Sequence, residues 1–349
     1  MPEPLSLRVL DSVPDGLLDA RAAELADLLG GPTLIHLPGR RPEPLFVSAL
    51  LHGNEDTGFE AVKRLLAKYA DRELPRALSI LIGNVDAARH GLRRLDGQPD
   101  FNRVWPGGAH AGSAEAAAMA EVVAQMRERR VFASIDVHNN TGLNPHYACV
   151  NVLDSRFFHL ATLFSRTVVY FIRPQGVASI AMAELCPSVT VECGQPGAAG
   201  SVEHAFEYLD AALNLAAHPE HPMPEHDMDL FHTVAIVTVP DRTRFGFDGL
   251  AEGIDLALLR DIDHMNFREL PAGVAFGQVA PGCDTPLTAI SEDGEPVGDR
   301  YFEVRDGELR TRRRVMPSML TLDERVIRQD CLCYLMERVP VDHWARKDQ

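Results

Sequence analysis

The stretch PLFVSALLHGNEDTGFEAVKRLLAKYA, residues 44–70, determines how the first half of this chain is expected to fold. Its first part, PLFVSALL (44–51), is a short apolar run of the kind that forms a buried strand. A short polar turn follows, and DTGFEAVKRLLAKYA (56–70) then resumes with apolar residues at helical spacing. A buried strand, a polar turn and an amphipathic helix in direct succession predict one unit of an α/β fold.

The same alternation continues on both sides of this stretch. Further strands are predicted at ALSILIGNV (77–85), FASIDVHNN (132–140), YACVNVL (147–153) and VTVEC (189–193). Helices are predicted over 16–29 and 113–130, and a long polar loop over 86–108. This order predicts an α/β sandwich around a mixed, mainly parallel sheet with helices on both faces.

The pattern changes beyond residue 216. The segment AAHPEHPMPEHDMD (216–229) is rich in Pro and His and lacks apolar periodicity, which is typical of a linker. Apolar runs such as TVAIVTVP (233–240) then alternate with turns that carry Gly, Asp and Pro, which predicts β structure. Because 349 residues exceed the usual size of one domain, we expect an α/β domain over 1–222 and a smaller β-rich C-terminal domain over 223–349.

The charge and composition narrow the classes of partner. Fifty acidic residues against 34 basic ones give a net charge of −16, which disfavours nucleic acids and anionic membrane surfaces. The first residues lack the pattern of a signal peptide, and no apolar stretch approaches the roughly 20 residues of a membrane span. Six scattered cysteines without a CxxC pair predict reduced thiols. We expect a cytoplasmic protein; a homo-oligomer is a common default for soluble enzymes, but the sequence does not fix the oligomeric state.

Three residues that can bind a metal stand near the ends of predicted strands. His52 and Glu55 are three residues apart between a strand and a helix, and His138 ends another strand. In such sheets, ligands bind at the carboxyl ends of the strands. A catalytic zinc takes three protein ligands such as these and leaves one position open. An HxxE pair alone is a weak signal, since a lone histidine is more often a surface or core residue, but the three together predict one zinc ion per chain.

Two acidic residues within predicted strands are also candidates for a functional role. Asp136 alternates with His138, so it could orient the ring of a metal ligand, although a plain solvated acid is the other interpretation. Glu192 lies inside the apolar run SVTVECG (188–194), where a carboxylate is costly unless it is paired or functional. An internal salt bridge is the alternative for Glu192.

The loop DFNRVWPG (100–107) places the amide of Asn102 beside the guanidinium of Arg103. A guanidinium offers a carboxylate a planar, two-pronged partner, so this pair could bind an anionic substrate group. Taken by itself, the segment is also consistent with an ordinary polar loop closed by Pro-Gly.

Four motifs in this order resemble one known family. LLHGNEDTG (50–58), DFNRVWPG (100–107), DVHNNTG (136–142) and VTVECGQPG (189–197) are similar to the motifs of the succinylglutamate desuccinylase/aspartoacylase family, a branch of the zinc carboxypeptidase superfamily. The resemblance implies a zinc-carboxypeptidase-like fold with a β-rich C-terminal domain. It also implies zinc-dependent hydrolysis of an amide bond in an N-acyl amino acid or a related small amide.

The resemblance also implies roles for individual residues. His52, Glu55 and His138 would bind zinc, Glu192 would be the general base that activates water, and Asn102 with Arg103 would hold the substrate. The family uses an arginine a few residues before the DxNR motif to polarise the scissile carbonyl. The nearest candidate is Arg94, with Arg93 as its rival, because the spacing differs by one residue.

One departure from the family concerns the substrate. The family carries another arginine roughly ten residues before the catalytic glutamate, whereas GVASIAMAELCPSVTV (176–191) contains no basic residue. Arg173 is the nearest basic residue upstream. We therefore expect an N-acyl amino acid with less negative charge than N-acetylaspartate or N-succinylglutamate. A metallocarboxypeptidase acting on short peptides, or a non-catalytic binding module of the same fold, are the alternatives.

Overall fold

A computed structural model describes residues 5–224, 226–284 and 286–340 of the chain. These residues form two compact units, each described below by itself. Unit 1 holds the described residues up to Asn139 together with His146–Asp229, and unit 2 holds Asn140–Pro145 and the described part of Leu230–Val339. The domain boundary between residues 222 and 223 stays a prediction.

Unit 1 is built on a sheet with the strand order β1-β2-β4-β3-β5-β8-β6-β7. The strands are β1 (Arg8–Leu10), β2 (Thr33–Leu37), β3 (Leu45–Ala49), β4 (Leu78–Ile82), β5 (Ala133–His138), β6 (Tyr147–Val150), β7 (Thr167–Tyr170) and β8 (Ser188–Glu192). Strand β3 runs parallel to β4 and β5, and β5 runs parallel to β8, whereas β2 with β4 and β6 with β8 are antiparallel pairs. The sheet is mixed, as predicted.

Helices connect these strands. They are α1 (Leu25–Leu29), α2 (Thr57–Lys68), α3 (Val85–Arg89), α4 (Ala114–Glu128), α5 (Ser155–Thr162), α6 (Ala178–Ala183) and α7 (Ser201–Asn214). The start of α4 agrees with the sequence, because the side chain of Ser113 accepts a hydrogen bond from the backbone N–H of Ala116.

Two predictions in this unit are wrong in detail. The helix predicted over 16–29 is reduced to a single 3-10 turn followed by α1, because Arg21 has an extended backbone that interrupts the helix. The loop predicted over 86–108 begins with α3 instead. The side chain of Asn84 accepts a hydrogen bond from the N–H of Ala87, which starts this short helix.

The two faces of the unit 1 sheet differ in chemistry. Val47 and Val137 lie on an aliphatic face covered by α2, where a Cβ on Gly58 would come 2.8 Å from the Cβ of Val137. Successive side chains of a strand point to opposite faces, so the neighbouring residues form the second face. On that face Phe46 and Leu81 pack against residues of α4 and α6. Helices therefore cover both faces, as predicted.

Unit 2 is β-rich, as predicted. Its strands are β9 (Asp229–Thr238), β10 (Phe245–Gly246), β11 (Leu256–Leu258), β12 (Ala275–Val279), β13 (Thr288–Ser291), β14 (Phe302–Arg305), β15 (Glu308–Thr311), β16 (Met316–Ser318) and β17 (Cys333–Arg338), and its helices are α8 (Gly298–Tyr301) and α9 (Glu324–Gln329). One group of strands pairs β9 with β13 and β17, and β17 with β16. The other is a five-stranded sheet in the order β10-β11-β12-β15-β14.

Two further findings concern the cysteines and the lengths of the helices. All six cysteines carry free thiols, and Cys283 alone among them is partly exposed rather than buried. Within the described residues, no helix combines the length and the apolar character that crossing a membrane requires.

Candidate metal centre

Three buried side chains meet at the carboxyl end of β3 and β5. His52 follows β3, Glu55 lies in the turn before α2, and His138 is the last residue of β5. Because β3 and β5 run parallel in register, their carboxyl ends lie side by side. One possible ligand atom from each residue lies within 4.8 Å of the other two. The structure thus brings together all three predicted metal ligands.

Close packing of the turn between β3 and α2 holds two of these residues. A Cβ on Gly53 would lie 2.2 Å from the backbone nitrogen of Ala88, so only glycine fits against α3 at this position. The N–H of Gly53 also donates to the carbonyl of Arg93 at 3.2 Å. The turn that carries His52 and Glu55 is therefore fixed by backbone contacts on both sides.

Each histidine turns the same ring atom towards Glu55. His52 Nδ1 lies 2.8 Å from Glu55 Oε1, and His138 Nδ1 lies 2.7 Å from Glu55 Oε2. The two ring centroids are 4.9 Å apart. Glu55 is further held by the backbone N–H of Asn139, which donates to Oε2 at 3.2 Å. Two imidazole nitrogens and a carboxylate thus converge, which is a donor set that zinc binds.

The opposite ring nitrogen of His52 is held by Asp100. His52 Nε2 donates to Asp100 Oδ1 at 3.1 Å, and the same oxygen accepts from the backbone N–H of Asn102 at 2.7 Å. The second oxygen of Asp100 accepts from the guanidinium of Arg93 at 3.0 and 3.3 Å. This carboxylate fixes the orientation of the ring, as carboxylates behind metal-bound histidines do.

His138 has an equivalent partner in Asp136. His138 Nε2 donates to Asp136 Oδ2 at 2.8 Å, and Asp136 Oδ1 accepts from the hydroxyl of Ser48 at 2.7 Å. Asp136 and Ser48 are completely buried. The orienting role suggested for Asp136 from the sequence therefore has a contact to support it, and Asp136 is not a solvated surface acid.

The pKa values of the cluster follow from these contacts. Burial alone would raise the pKa of Glu55, but His52 and His138 outweigh it and hold the pKa below its usual value. Burial alone would lower the pKa of His138, but the charges of Asp136 and Glu55 raise it well above the ordinary histidine value. The cluster is therefore built to hold positive charge between its carboxylates, and a divalent cation can take the place of the histidine protons.

Glu192 is the last residue of β8 and is buried. It pairs in register with His138 across two parallel strands, so the two side chains leave the same face of the sheet. Neighbouring strands lie about 4.8 Å apart, which makes Glu192 an immediate neighbour of the metal ligand. Burial, and after it the charge of Glu192, raise the pKa of the Cys149 thiol well above its usual value.

The arginine at this cluster is Arg93. Its side chain is 10% exposed, and its NH1 nitrogen lies 3.8 Å from Glu55 Oε1. Arg94, which the motif spacing favoured, instead donates to the carbonyl of Gln98 at 3.0 Å. The structure thus brings Arg93, and not Arg94, against the candidate metal ligands. The spacing in the sequence could not distinguish Arg93 from Arg94, because the path of the loop before Asp100 decides which of them faces the cluster.

Asn102 and Arg103, the two residues predicted to bind the substrate, differ in burial and in contacts. Asn102 is buried; its Oδ1 accepts from the N–H of Ala178 at 2.9 Å, and its Nδ2 lies 3.2 Å from His138 Nε2. Its amide oxygen therefore connects the loop to the start of α6, and its amide nitrogen lies close to the ring of His138. Arg103 is half-buried and donates to the carbonyl of Asn102 at 2.8 Å. A Cβ on Gly176 would lie 2.4 Å from the carbonyl of Arg103, so the two backbones touch directly.

The segment 176–191, which contains no basic residue, begins beside the loop that carries Asn102 and Arg103. Helix α6 begins at Ala178, whose N–H is bound by Asn102, and continues through small and apolar side chains. Arg173 lies before it and is exposed. The segment 176–191 thus brings no guanidinium to the site.

Sequence reasoning missed the role of two residues in this centre. Asp100 stood in the motif DFNRVWPG without an assigned role, and the only signal that could have found it was an acidic residue two positions before Asn102. Ser48 offered no signal, because its contact with Asp136 depends on the pairing of two strands that are 88 residues apart.

Comparisons with known proteins identify a matching family model and similar folds. Residues 43–210 match the model of the succinylglutamate desuccinylase/aspartoacylase catalytic domain. The succinylglutamate desuccinylase from Chromobacterium violaceum superimposes with a TM-score of 0.55 at 17% identity, covering 87% of this chain and 86% of that one. A product-bound ectoine utilization protein EutE from Ruegeria pomeroyi gives 0.55 at 17% identity, covering 88% of each chain.

Murine aminoacylase 3 gives a TM-score of 0.53 at 14% identity, covering 86% of this chain and 96% of that chain. At such identities these structures establish the fold alone. A comparison with curated protein sequences finds no match.

Proposed function

We propose that this chain, whose residues 43–210 match the model of the succinylglutamate desuccinylase/aspartoacylase catalytic domain, is a zinc-dependent hydrolase that removes the acyl group from an N-acyl amino acid or a related small amide. The observation that carries the proposal is the convergence of His52, Glu55 and His138 within 4.8 Å. Both histidines turn Nδ1 towards Glu55, while each Nε2 is bound by a separate buried carboxylate.

The donor set supports zinc as the ion. Two imidazoles and one carboxylate leave a coordination position open, which is typical of catalytic rather than structural zinc sites. His52, Glu55 and His138 would hold the ion. Zinc bound there would supply a Lewis acid that polarises a carbonyl oxygen and makes water acidic near neutral pH.

The remaining chemistry is assigned to residues of this chain. Glu192, beside His138, takes a proton from the attacking water and passes it to the departing amine. Arg93, close to Glu55, offers a positive charge to the oxygen that becomes negative as the amide carbon turns tetrahedral. We assign this role to Arg93 in place of Arg94.

The charges around the centre favour a substrate with one carboxylate. Among the described residues that form the centre, four are acidic and two are basic: Glu55, Asp100, Asp136, Glu192, Arg93 and Arg103. A divalent cation would bring their formal sum to zero. Arg93 is bound to Asp100 and lies close to Glu55, and the motif resemblance gives substrate binding to Asn102 and Arg103, so Arg103 is the cation that we assign to the substrate. A second buried carboxylate would lack a cationic partner, which costs several kcal/mol.

The proposed function has a direct test. Purified protein should contain about one zinc ion per chain, and a panel of N-acyl amino acids should include a substrate that it hydrolyses. Metal content without hydrolysis of any N-acyl amino acid, but with release of C-terminal residues from short peptides, would favour the alternative of a metallocarboxypeptidase. Intact protein that takes up no metal would support the non-catalytic binding module.

The substrate class has a test of its own. We expect N-acetyl amino acids with neutral side chains to give a higher kcat/KM than N-acetylaspartate and N-succinylglutamate, because the former carry one carboxylate whereas the latter carry two and three. A preference for either of these two compounds would show that another cation, such as Arg173, reaches the substrate.

A further inference from the structure

A buried hydroxyl lies behind the candidate metal centre, on the face of the sheet that carries Asp136 and His138. Ser48, in the middle of β3, is fully buried and donates to Asp136 Oδ1 at 2.7 Å. The other oxygen of Asp136 accepts from His138 Nε2 at 2.8 Å. The described residues show no third partner for this carboxylate. Ser48 is thus one of two groups that fix its orientation.

The contact of Ser48 is not a general property of serines in this sheet. Ser134 and Ser188 lie on neighbouring strands of the same face and are equally buried, yet within the described structure their hydroxyls have no hydrogen-bond partner. Burying an unpaired hydroxyl is tolerated here despite its cost. What distinguishes Ser48 is its short contact with a carboxylate that itself binds a metal ligand.

The two carboxylates behind the histidines are anchored differently. Asp100 is held by Arg93 and by the backbone N–H of Asn102, so it has several donors besides His52. Asp136 has Ser48 in that position. Loss of the Ser48 hydroxyl would leave Oδ1 of Asp136 buried without a donor and free to rotate towards another partner.

We propose that Ser48 is a positioning residue for the metal centre: its hydroxyl fixes Asp136, which holds the ring of His138 with Nδ1 turned towards the ion. The proposal rests on the proposed function, because it assumes that His138 binds a metal. Ser48 does not touch the substrate in this scheme and acts through two other side chains. Partners at this distance from a metal still alter its affinity, because they limit the motion of the ligand.

The main test compares S48A with S134A. Both remove one hydroxyl from a fully buried serine on the same face of the sheet, and the two strands are adjacent. We expect S48A to lose metal to a chelator about tenfold faster than the wild type, within the usual range for such partners. S134A should lose metal at the wild-type rate. S48T, which keeps the hydroxyl, should restore slow release.

The kinetics should show the same pattern. In S48A we expect kcat to fall while KM stays close to the wild-type value, because the substrate contacts are unchanged and the metal ligand is not. A merely structural role would instead lower the melting temperature of S48A without changing metal release. If S48A does not fold, S48C takes its place, since a thiol is similar in size and donates only weakly.

A second measurement separates this proposal from the proposed function. In metal-free protein, the Nε2–H proton of His138 can be followed by NMR, and we expect it to exchange with solvent faster in S48A than in S134A. If the wild type binds no metal, the proposed function fails and the exchange rates alone decide the role of Ser48. Equal metal release and equal exchange in S48A and S134A would overturn the proposal.

Discussion

At the scale of single residues, each candidate ligand of the centre is held in place by a hydrogen bond with a second buried side chain. Glu55 accepts contacts from both histidines, and each histidine is held at Nε2 by its own buried carboxylate. Because Nε2 of each ring donates to its carboxylate, removal of the proton from Nδ1 would leave a lone pair on that atom that can bind a cation. Two consequences can be measured at this scale.

The first prediction concerns Glu192. E192Q should keep the fold and the metal but lose about 10² to 10⁴-fold in kcat, the usual contribution of a general base. Glutamine preserves the shape of the buried side chain and removes the proton acceptor. Metal content and kcat measured on the same preparation check this. A loss below about tenfold would mean that another group is the base.

The second prediction concerns Asp100. D100N should weaken metal binding by about 10 to 100-fold, because the new amide cannot accept from His52 and Arg93 with both of its polar atoms. Competition with a chromophoric chelator measures the affinity. D96N, at an exposed position of the same loop, is the control and should bind metal normally. Equal affinities in the two variants would remove Asp100 from the centre.

At the scale of elements, the position of the site is determined by the ends of three strands and by the close packing of α2 on the sheet. His138 and Glu192 meet because β5 and β8 run parallel in register, and His52 joins them because β3 flanks β5. Helix α2 lies against the opposite face, with Gly58 almost touching Val137, the residue before His138. The position of that helix is therefore linked to the position of a metal ligand.

The third prediction tests this contact. In most helices, replacing glycine by alanine stabilises the protein by up to about 1 kcal/mol. In G58A the new Cβ would lie 2.8 Å from the Cβ of Val137 and 3.2 Å from that of Ala49, so we expect a loss of about 1 to 3 kcal/mol in the free energy of unfolding. Urea denaturation gives the sign directly, and a more stable variant would show that α2 can move away from the sheet.

At the scale of the whole molecule, the sequence allowed the fold class and the convergence of three candidate metal ligands to be predicted. The apolar runs are long enough to identify the strands, and His52, Glu55 and His138 stand beside them. The arginine could not be chosen, because only the folded loop shows that Arg93 turns inwards. The role of Ser48 was invisible, since it arises from the pairing of β3 with β5 rather than from any local pattern.

The fourth prediction follows from the clustering of charge in unit 1. Removing the metal should lower the melting temperature, since an ion that binds only the folded chain stabilises it by mass action. Calorimetry before and after treatment with a chelator measures the shift, and added zinc should reverse it. An H52A variant serves as control and should show no response to the chelator. An unchanged melting temperature in the wild type would contradict metal binding at this centre.

The difference between the two faces of the unit 1 sheet has a consequence for how this protein can change over time. One face, with Val47 and Val137 against α2, serves packing alone, whereas the other face carries His138 and Glu192 beside packed residues such as Phe46. Successive residues of a strand point to opposite faces. A mutation on the face that carries His138 therefore need not disturb the residues that pack against α2. New specificities could therefore arise by drift on one side while selection for foldability acts on the other.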